Sequence, residues 1–199
     1  MHPYNGWPFL SAPHYPFLSA IWEVFAHGLL GLVVVLPIVW RSERRGLYAL
    51  LAFIGGFALD VDHAVVAGSL SPHAMEDLGA RPDTHSLAFG VLLALLALLL
   101  TRRLILAWCV FALIVSHLLF DAAGGGVYWL FPLKHPDSIP WLVCPLGIAV
   151  LFTISAILAR GEDHRQTRTQ STSIRAGKWV SASGEPGQTP PTARSSRRK

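Results

Sequence analysis

Residues 104–122 read LILAWCVFALIVSHLLFDA, and His117 and Asp121 are the only acidic, basic or imidazole side chains in this run. A helix of about 20 apolar residues is long enough to cross the hydrocarbon core of a bilayer. Four further apolar runs predict four further spans, approximately at residues 20–40, 47–66, 86–100 and 141–159. None shows the alternating pattern of barrel strands. The sequence therefore predicts an all-α, polytopic membrane bundle of about five transmembrane helices.

The composition agrees with a membrane protein. The chain is 52% hydrophobic and 14% charged, whereas soluble domains average about 25% charged residues. The two cysteines, Cys109 and Cys144, both lie in apolar runs and form no CxxC pair. We interpret them as small core residues rather than as metal or redox sites.

The basic residues are concentrated at the C-terminal end. Residues 160–199 contain nine Lys/Arg and three Asp/Glu, whereas residues 1–159 contain seven and nine. This tail has few large apolar residues, so we predict a disordered segment that is attracted to anionic lipid headgroups rather than to nucleic acid. We expect three parts: an interfacial aromatic and proline-rich segment (1–19), the membrane domain (20–159) and the tail (160–199).

The loops predict the orientation of the bundle. One side of the membrane receives most of the basic residues, namely Arg41, Arg44, Arg45, Arg102, Arg103 and the tail. The other side receives only Arg81 and Lys134. Because basic loops stay in the cytoplasm, the N-terminus is predicted outside and the C-terminus inside.

Seven polar residues of the spans fall at one depth, near the predicted outer face. They are His27, Asp60, Asp62, His63, His85, His117 and Asp121. The inner halves of the spans carry no Asp, Glu, His, Lys or Arg. An ionisable group in hydrocarbon is costly and usually marks a function, so this layer predicts a functional site.

Residue spacing indicates which of these groups can meet. His117 and Asp121 are four residues apart and share a helix face, as do Asp60 and His63, three apart. Asp62 points elsewhere on an ideal helix and joins the cluster only if the helix end unwinds. Imidazole and carboxylate without thiolate suit a divalent metal, with zinc as the first candidate and manganese or iron as alternatives.

Each residue also has a simpler explanation. His27 could hydrogen-bond a neighbouring helix, and His85 could belong to a helix N-cap with its polar neighbours. Asp62 and Asp121 could be interfacial acids in water. Taken together, these explanations require four helices to place costly groups at one depth by coincidence, so a metal site is favoured.

The polar residues also lie in recognisable elements. These are Leu59-Asp60-Val61-Asp62-His63, Thr84-His85-Ser86, Ser116-His117-Leu118-Leu119-Phe120-Asp121 and Phe131-Pro132. In order and spacing they resemble the YdjM-like membrane-bound metal-dependent hydrolases, in which an early histidine precedes them, as His27 does here. The first acid of that family follows a proline, where this chain has Leu59. The histidine and glycine that precede the family's Thr-His-Ser are absent here.

The resemblance implies a hydrolase of the inner, cytoplasmic membrane. It implies His27, Asp60, His63, His85, His117 and Asp121 as metal ligands. We expect Asp62 to act as the base, with Glu23 as an alternative, and the substrate to be a phosphoester or other ester of a lipid. Arg81 and Lys134 could contact its anionic group or simply be interfacial cations. The alternative functions are a metal-ion or solute transporter and a non-catalytic scaffold. The inner halves of the spans carry no ionisable residues, which disfavours a transport path.

The predicted orientation can be tested with reporters. A cytoplasm-dependent reporter fused after Lys199 should be active, because the basic tail lies inside. A reporter that works only outside the cytoplasm should be silent at the same position. Activity of the second reporter would reverse the predicted topology and move the polar layer to the inner face.

Overall fold

The computed structural model of the chain describes residues 16–69, 71, 74, 82–124, 127, 129 and 139–182. Its helices are α1 (Pro16–Val39), α2 (Arg45–Phe57), α3 (Val61–Ala67), α4 (Leu87–Thr101), α5 (Leu104–Gly124) and α6 (Val143–Ala182). Every regular element within these ranges is helical, which confirms the all-α prediction.

The helices also agree with a protein that crosses the membrane several times. Four segments in the described part of the chain are long and apolar enough to span a bilayer: Ile21–Val39, Arg45–Ala67, Leu104–Gly124 and Val143–Glu162. The third predicted span corresponds to α4, which is apolar but shorter. The five predicted spans are thus four full-length segments and one short helix.

The second span is a broken helix. α2 ends at Phe57, a 3-10 turn covers Ala58–Asp60, and α3 follows directly and ends at Gly68. A 3-10 turn is wound more tightly than an α-helix, so it changes the direction in which the following side chains point. Gly68 has a φ of 60°, a left-handed conformation that favours glycine and ends the helix. This break lies among the acids of the polar layer.

α4 and α5 are joined by a very short connection. The Ser86 hydroxyl caps the start of α4 by accepting a hydrogen bond from the Phe89 N–H. The helix ends at Thr101, and Arg102 takes a left-handed φ of 56°. Only Arg102 and Arg103 separate α4 from α5, so the two helices turn back on each other and pack together.

The largest apolar core joins α1, α2, α5 and α6. It contains the buried side chains Val34, Val35, Val39, Ala52, Ala112, Leu119, Ala123, Cys144, Ile148 and Leu151. One hydrogen bond crosses it, from the Trp108 indole N–H on α5 to the Ser155 hydroxyl on α6, at 2.8 Å. A polar contact of this kind between membrane helices contributes about 1 kcal/mol. Cys144 is buried in the core and Cys109 packs against it, as predicted, and both are free thiols.

α1 and α2 cross with their backbones almost touching. A Cβ added to Gly56 would lie 2.4 Å from the His27 carbonyl oxygen and 3.0 Å from the Gly28 Cα. A Cβ added to Gly31 would lie 2.7 Å from the Gly56 Cα. Small residues permit such close approaches between membrane helices. The crossing places the His27 turn of α1 against the end of α2 that leads to Asp60.

α6 is longer than the predicted fifth span. The prediction places an unfolded tail from residue 160, but the helix continues to Ala182. No proline follows Pro145 until Pro186, and extending an existing helix avoids the unfavourable nucleation step. Residues up to Arg160 form one compact unit and Gly161–Lys199 a second. The predicted segment 1–19 overlaps the start of α1; residues 1–15 and 183–199 lie outside the described part.

The glycine crossing predicts a sharp response to substitution. Gly56→Ala should lower the free energy of unfolding by about 1–3 kcal/mol, because a methyl group placed against backbone atoms forces the two helices apart. The midpoint of thermal unfolding in detergent measures this loss.

Gly46→Ala is the matched control. Gly46 lies in the first turn of α2, and a Cβ there meets nothing within 4 Å. Alanine in place of glycine in a helix should change the stability by no more than about 1 kcal/mol, in the favourable direction. Equal destabilisation by both substitutions would show that the close crossing does not limit the fold.

Candidate metal site

The seven polar residues of the predicted layer meet in one cluster. His27 comes from α1, Asp60 from the 3-10 turn, Asp62 and His63 from α3, His85 from the residues before α4, and His117 and Asp121 from α5. The side chains of His27, His85, His117 and Asp121 are almost completely buried. Burial of so many ionisable groups is costly unless they neutralise one another or bind an ion.

His117 lies at the centre of the cluster. Its Nδ1–H donates a hydrogen bond to the Gly56 carbonyl oxygen, at 2.9 Å. A carbonyl can only accept, so Nδ1 carries a proton, and Nε2 presents a lone pair whenever the ring is neutral. That Nε2 atom lies 3.2 Å from Asp121 Oδ2 and 3.3 Å from Asp60 Oδ1.

His85 is oriented in the same way from the opposite side. Its Nδ1–H donates to Asp62 Oδ2, at 3.1 Å, and the same oxygen accepts a hydrogen bond from the Thr84 hydroxyl. Burial lowers the pKa of His85, while the Asp62 carboxylate acts to raise it, and the net shift is downward. A neutral His85 presents a lone pair at Nε2, which lies 3.1 Å from His117 Nε2.

His27 lies behind this pair. Its Nδ1–H donates to Asp60 Oδ2, at 3.1 Å, and its Nε2 lies 3.2 Å from Asp121 Oδ1. The His27 ring stacks on the His117 ring, with centroids 3.8 Å apart and planes inclined by 24°. The Phe120 ring packs edge-on against the His27 ring, with centroids 4.9 Å apart.

Asp60, Asp62 and His63 form the more exposed part of the cluster. His63 Nδ1 lies 3.1 Å from Asp62 Oδ1, so Asp62 connects His63 to His85. The exposed fractions of the Asp60, Asp62 and His63 side chains are 25%, 19% and 15%. The sequence predicts that Asp62 joins the cluster only if the helix end unwinds, and the 3-10 turn directly before α3 supplies that irregularity. Asp60 and His63, expected to share a face, contact different partners.

Among the residues that the structure describes, three overlapping groups of donors lie close enough to hold a metal ion. They are His27, His117 and Asp121; Asp60, His85 and His117; and Asp62, His63 and His85. In each group the ligand atoms lie within 4.8 Å of one another. The donors are imidazole nitrogens and carboxylate oxygens, which zinc, manganese and iron accept. The predicted ligand residues therefore fit a divalent metal in chemistry and in spacing.

Two groups that support the site were not identified as functional from the sequence. Gly56 supplies the carbonyl oxygen that orients His117, and Thr84 supplies a hydroxyl to Asp62. Thr84 could have been identified from the sequence, because it stands in the Thr-His-Ser element. Gly56 could not, because a glycine in an apolar helix does not indicate what its carbonyl oxygen contacts. Glu23 is half-buried and absent from the three donor groups. Arg81 and Lys134 lie outside the described residues.

The chain is similar to other membrane proteins. A model of the protein family described as YdjM inner membrane protein matches residues 23–182. Transmembrane protein 267 of Danio rerio is 28% identical over 148 residues, which cover 67% of this chain and 66% of that protein. The chain thus spans just under two thirds of the length of this relative. The Xenopus laevis protein of the same name is 28% identical over 165 residues, 77% of this chain and 74% of the relative. No solved structure matches.

Proposed function

The chain belongs to the YdjM inner membrane protein family, and we propose that this multi-pass membrane protein binds a divalent metal ion and uses it to hydrolyse an ester. The candidate ligands are the six residues predicted from the sequence, His27, Asp60, His63, His85, His117 and Asp121, with zinc as the preferred ion and manganese or iron as alternatives. Two findings support the proposal: the chain belongs to a family of membrane proteins, and its buried cluster has donors whose chemistry suits such an ion.

One observation carries the metal proposal. The Nε2 atoms of His85 and His117 are 3.1 Å apart, while each ring uses its Nδ1–H elsewhere. When both rings are neutral, they turn lone pairs toward each other, and two carboxylates approach the same point from Asp60 and Asp121. Four electron-rich atoms repel one another unless a metal ion or a shared proton lies among them. A divalent cation also balances two carboxylates in a medium of low dielectric constant.

The chain's own residues support hydrolysis as the chemistry. A bound divalent metal lowers the pKa of a water molecule and polarises a substrate oxygen. Asp62 is the proposed base, since it is more exposed than the central histidines and lies beside them. His63, 3.1 Å from Asp62, can share the proton that this carboxylate accepts. The buried ring of His27 and the half-buried ring of Phe120 cover the back of the cluster.

The surroundings favour a substrate with an apolar part. Val61, Val65 and Val66 on α3 expose their side chains beside Asp62 and His63, and α3 belongs to a segment apolar enough to span the membrane. A lipid ester or phosphoester could approach along this surface with its acyl chains in the bilayer. The proposed substrate class is therefore a lipid or lipid-linked ester.

Metal analysis tests the first part of the proposal. Protein purified without chelator and supplied with zinc, manganese or iron should retain close to one equivalent of metal. His117→Ala should lose most of that metal, because it removes a central donor. Elemental analysis after desalting measures both values.

Leu113→Ala is the control on the same helix, one turn from His117. It should destabilise the protein by about 2–5 kcal/mol through lost packing and still keep its metal. A wild-type protein that binds none of the three metals would contradict the proposal, and the cluster would then be a scaffold whose histidines share a proton.

Turnover tests the second part. Metal-loaded protein in detergent should hydrolyse a chromogenic phosphodiester or a short-chain phospholipid. Asp62→Asn should lower kcat by about 10²–10⁴-fold at full metal occupancy, since it removes the base. Leu100→Ala, an exposed change at the end of α4 that is far from His85, should leave kcat unchanged. Equal kcat values for the wild type and Asp62→Asn would exclude Asp62 as the base.

A further inference from the structure

We infer that His27 is a positioning residue that does not bind the metal: its Nδ1–H holds Asp60 and its Nε2 lies against Asp121, in each case at the carboxylate oxygen that His85 and His117 do not contact. This inference rests on the proposed metal site and replaces the ligand role that the sequence predicts for His27. It divides the cluster into four donors around one point and a histidine behind them.

Each of the His85 and His117 rings lies close to the other ring and to both carboxylates. His117 Nε2 lies 3.1 Å from His85 Nε2, 3.2 Å from Asp121 Oδ2 and 3.3 Å from Asp60 Oδ1. His85 Nε2 lies 3.5 Å from Asp121 Oδ2 and 4.0 Å from Asp60 Oδ1. Zinc bonds to nitrogen and oxygen of about 2.0–2.1 Å imply donor atoms about 3.3 Å apart in a tetrahedral site. Asp60, His85 and His117 form one of the three donor groups, and Asp121 Oδ2 lies within 3.5 Å of both rings, so these four are the proposed ligands of one ion.

His27 contacts the opposite oxygen of each carboxylate. Asp60 turns Oδ1 toward His117 and Oδ2 toward His27 Nδ1, at 3.1 Å. Asp121 turns Oδ2 toward His85 and His117, and Oδ1 toward His27 Nε2, at 3.2 Å. The two nitrogens of one ring thus lie against both carboxylates, on the side away from the four-donor point. This is the arrangement in which an outer residue fixes the orientation of metal ligands.

The ring planes also separate His27 from the ligands. A histidine binds a metal in the plane of its ring. The planes of His27 and His117 are inclined by only 24°, with centroids 3.8 Å apart, so they do not intersect near the ring nitrogens and cannot share one ion. The planes of His85 and His117 are inclined by 63°, and their Nε2 atoms face each other. His27 therefore packs on the face of the His117 ring and is not a second ligand beside it.

Cobalt(II) is the probe, because its visible absorption reports the number and type of ligands. Titration of the metal-free protein in detergent gives both the spectrum and the Kd. His27→Ala should keep the band positions and intensities of the wild type, while its Kd rises about 10–100-fold, the usual effect of removing an outer partner. His85→Ala is the comparison: it removes a ligand, so its bands should shift or disappear.

His27→Gln serves as the conservative variant and guards against a variant that fails to fold. A glutamine amide can donate a hydrogen bond to a carboxylate but is a poor metal ligand. Its Kd should fall between those of the wild type and His27→Ala, with unchanged bands. Thermal unfolding of all variants identifies any that are not folded.

The possible results separate the two proposals. If the wild type binds cobalt and both His27 variants show bands altered like those of His85→Ala, then His27 is a ligand and the inference is wrong, while the metal site stands. Unchanged affinity in His27→Ala would also overturn it. If the wild type binds neither cobalt nor zinc, the metal site fails and the role of His27 fails with it.

Discussion

The organisation of this protein depends on two histidine rings that face each other inside a membrane domain. His85 and His117 each use one nitrogen to donate a hydrogen bond, to Asp62 and to the Gly56 carbonyl respectively. Their remaining nitrogens then lie 3.1 Å apart. Such an arrangement is unfavourable without a positive charge between the rings, and hydrocarbon makes any imbalance more costly. The contacts that hold the rings come from two different segments, so helix packing sets where a positive charge, either a shared proton or the proposed metal ion, can balance them.

The glycine crossing of α1 and α2 provides the geometry for this arrangement. Gly28, Gly31 and Gly56 bring the two backbones into contact, and the same Gly56 offers its carbonyl oxygen to His117. A larger residue at the crossing would move α2 away from α1, and with it the oxygen that sets the tautomer of His117. The residues that pack the helices and those that form the site therefore cannot vary independently. Close packing at small residues is common in membrane helices; here it also positions a polar group.

The 3-10 turn after α2 directs Asp60 and Asp62 toward different partners. In a continuous helix, Asp60 and Asp62 would point in directions about 200° apart, and the second acid would leave the cluster. With the 3-10 turn at Ala58–Asp60, Asp60 reaches His27 and His117, while Asp62 reaches His63 and His85. Asp62, the proposed base, and Asp60 are both partly exposed, whereas Asp121 is buried among the rings. Irregular backbone inside a membrane protein is tolerated where such groups need it.

The sequence alone determined the membrane class, the all-α fold, the approximate spans and the identity of the polar cluster. These follow from local properties: the length of an apolar run decides whether it can cross a bilayer, and the cost of an ionisable group there singles it out. Only the tertiary structure decided which atoms face one another, since that depends on the glycine crossing, the 3-10 turn and the stacking of His27 on His117. The sequence placed His27, His85 and His117 at one depth, but a depth does not fix the direction of a ring. The tertiary packing sets that direction, because hydrogen bonds from separate segments determine which nitrogen of each ring is free to bind.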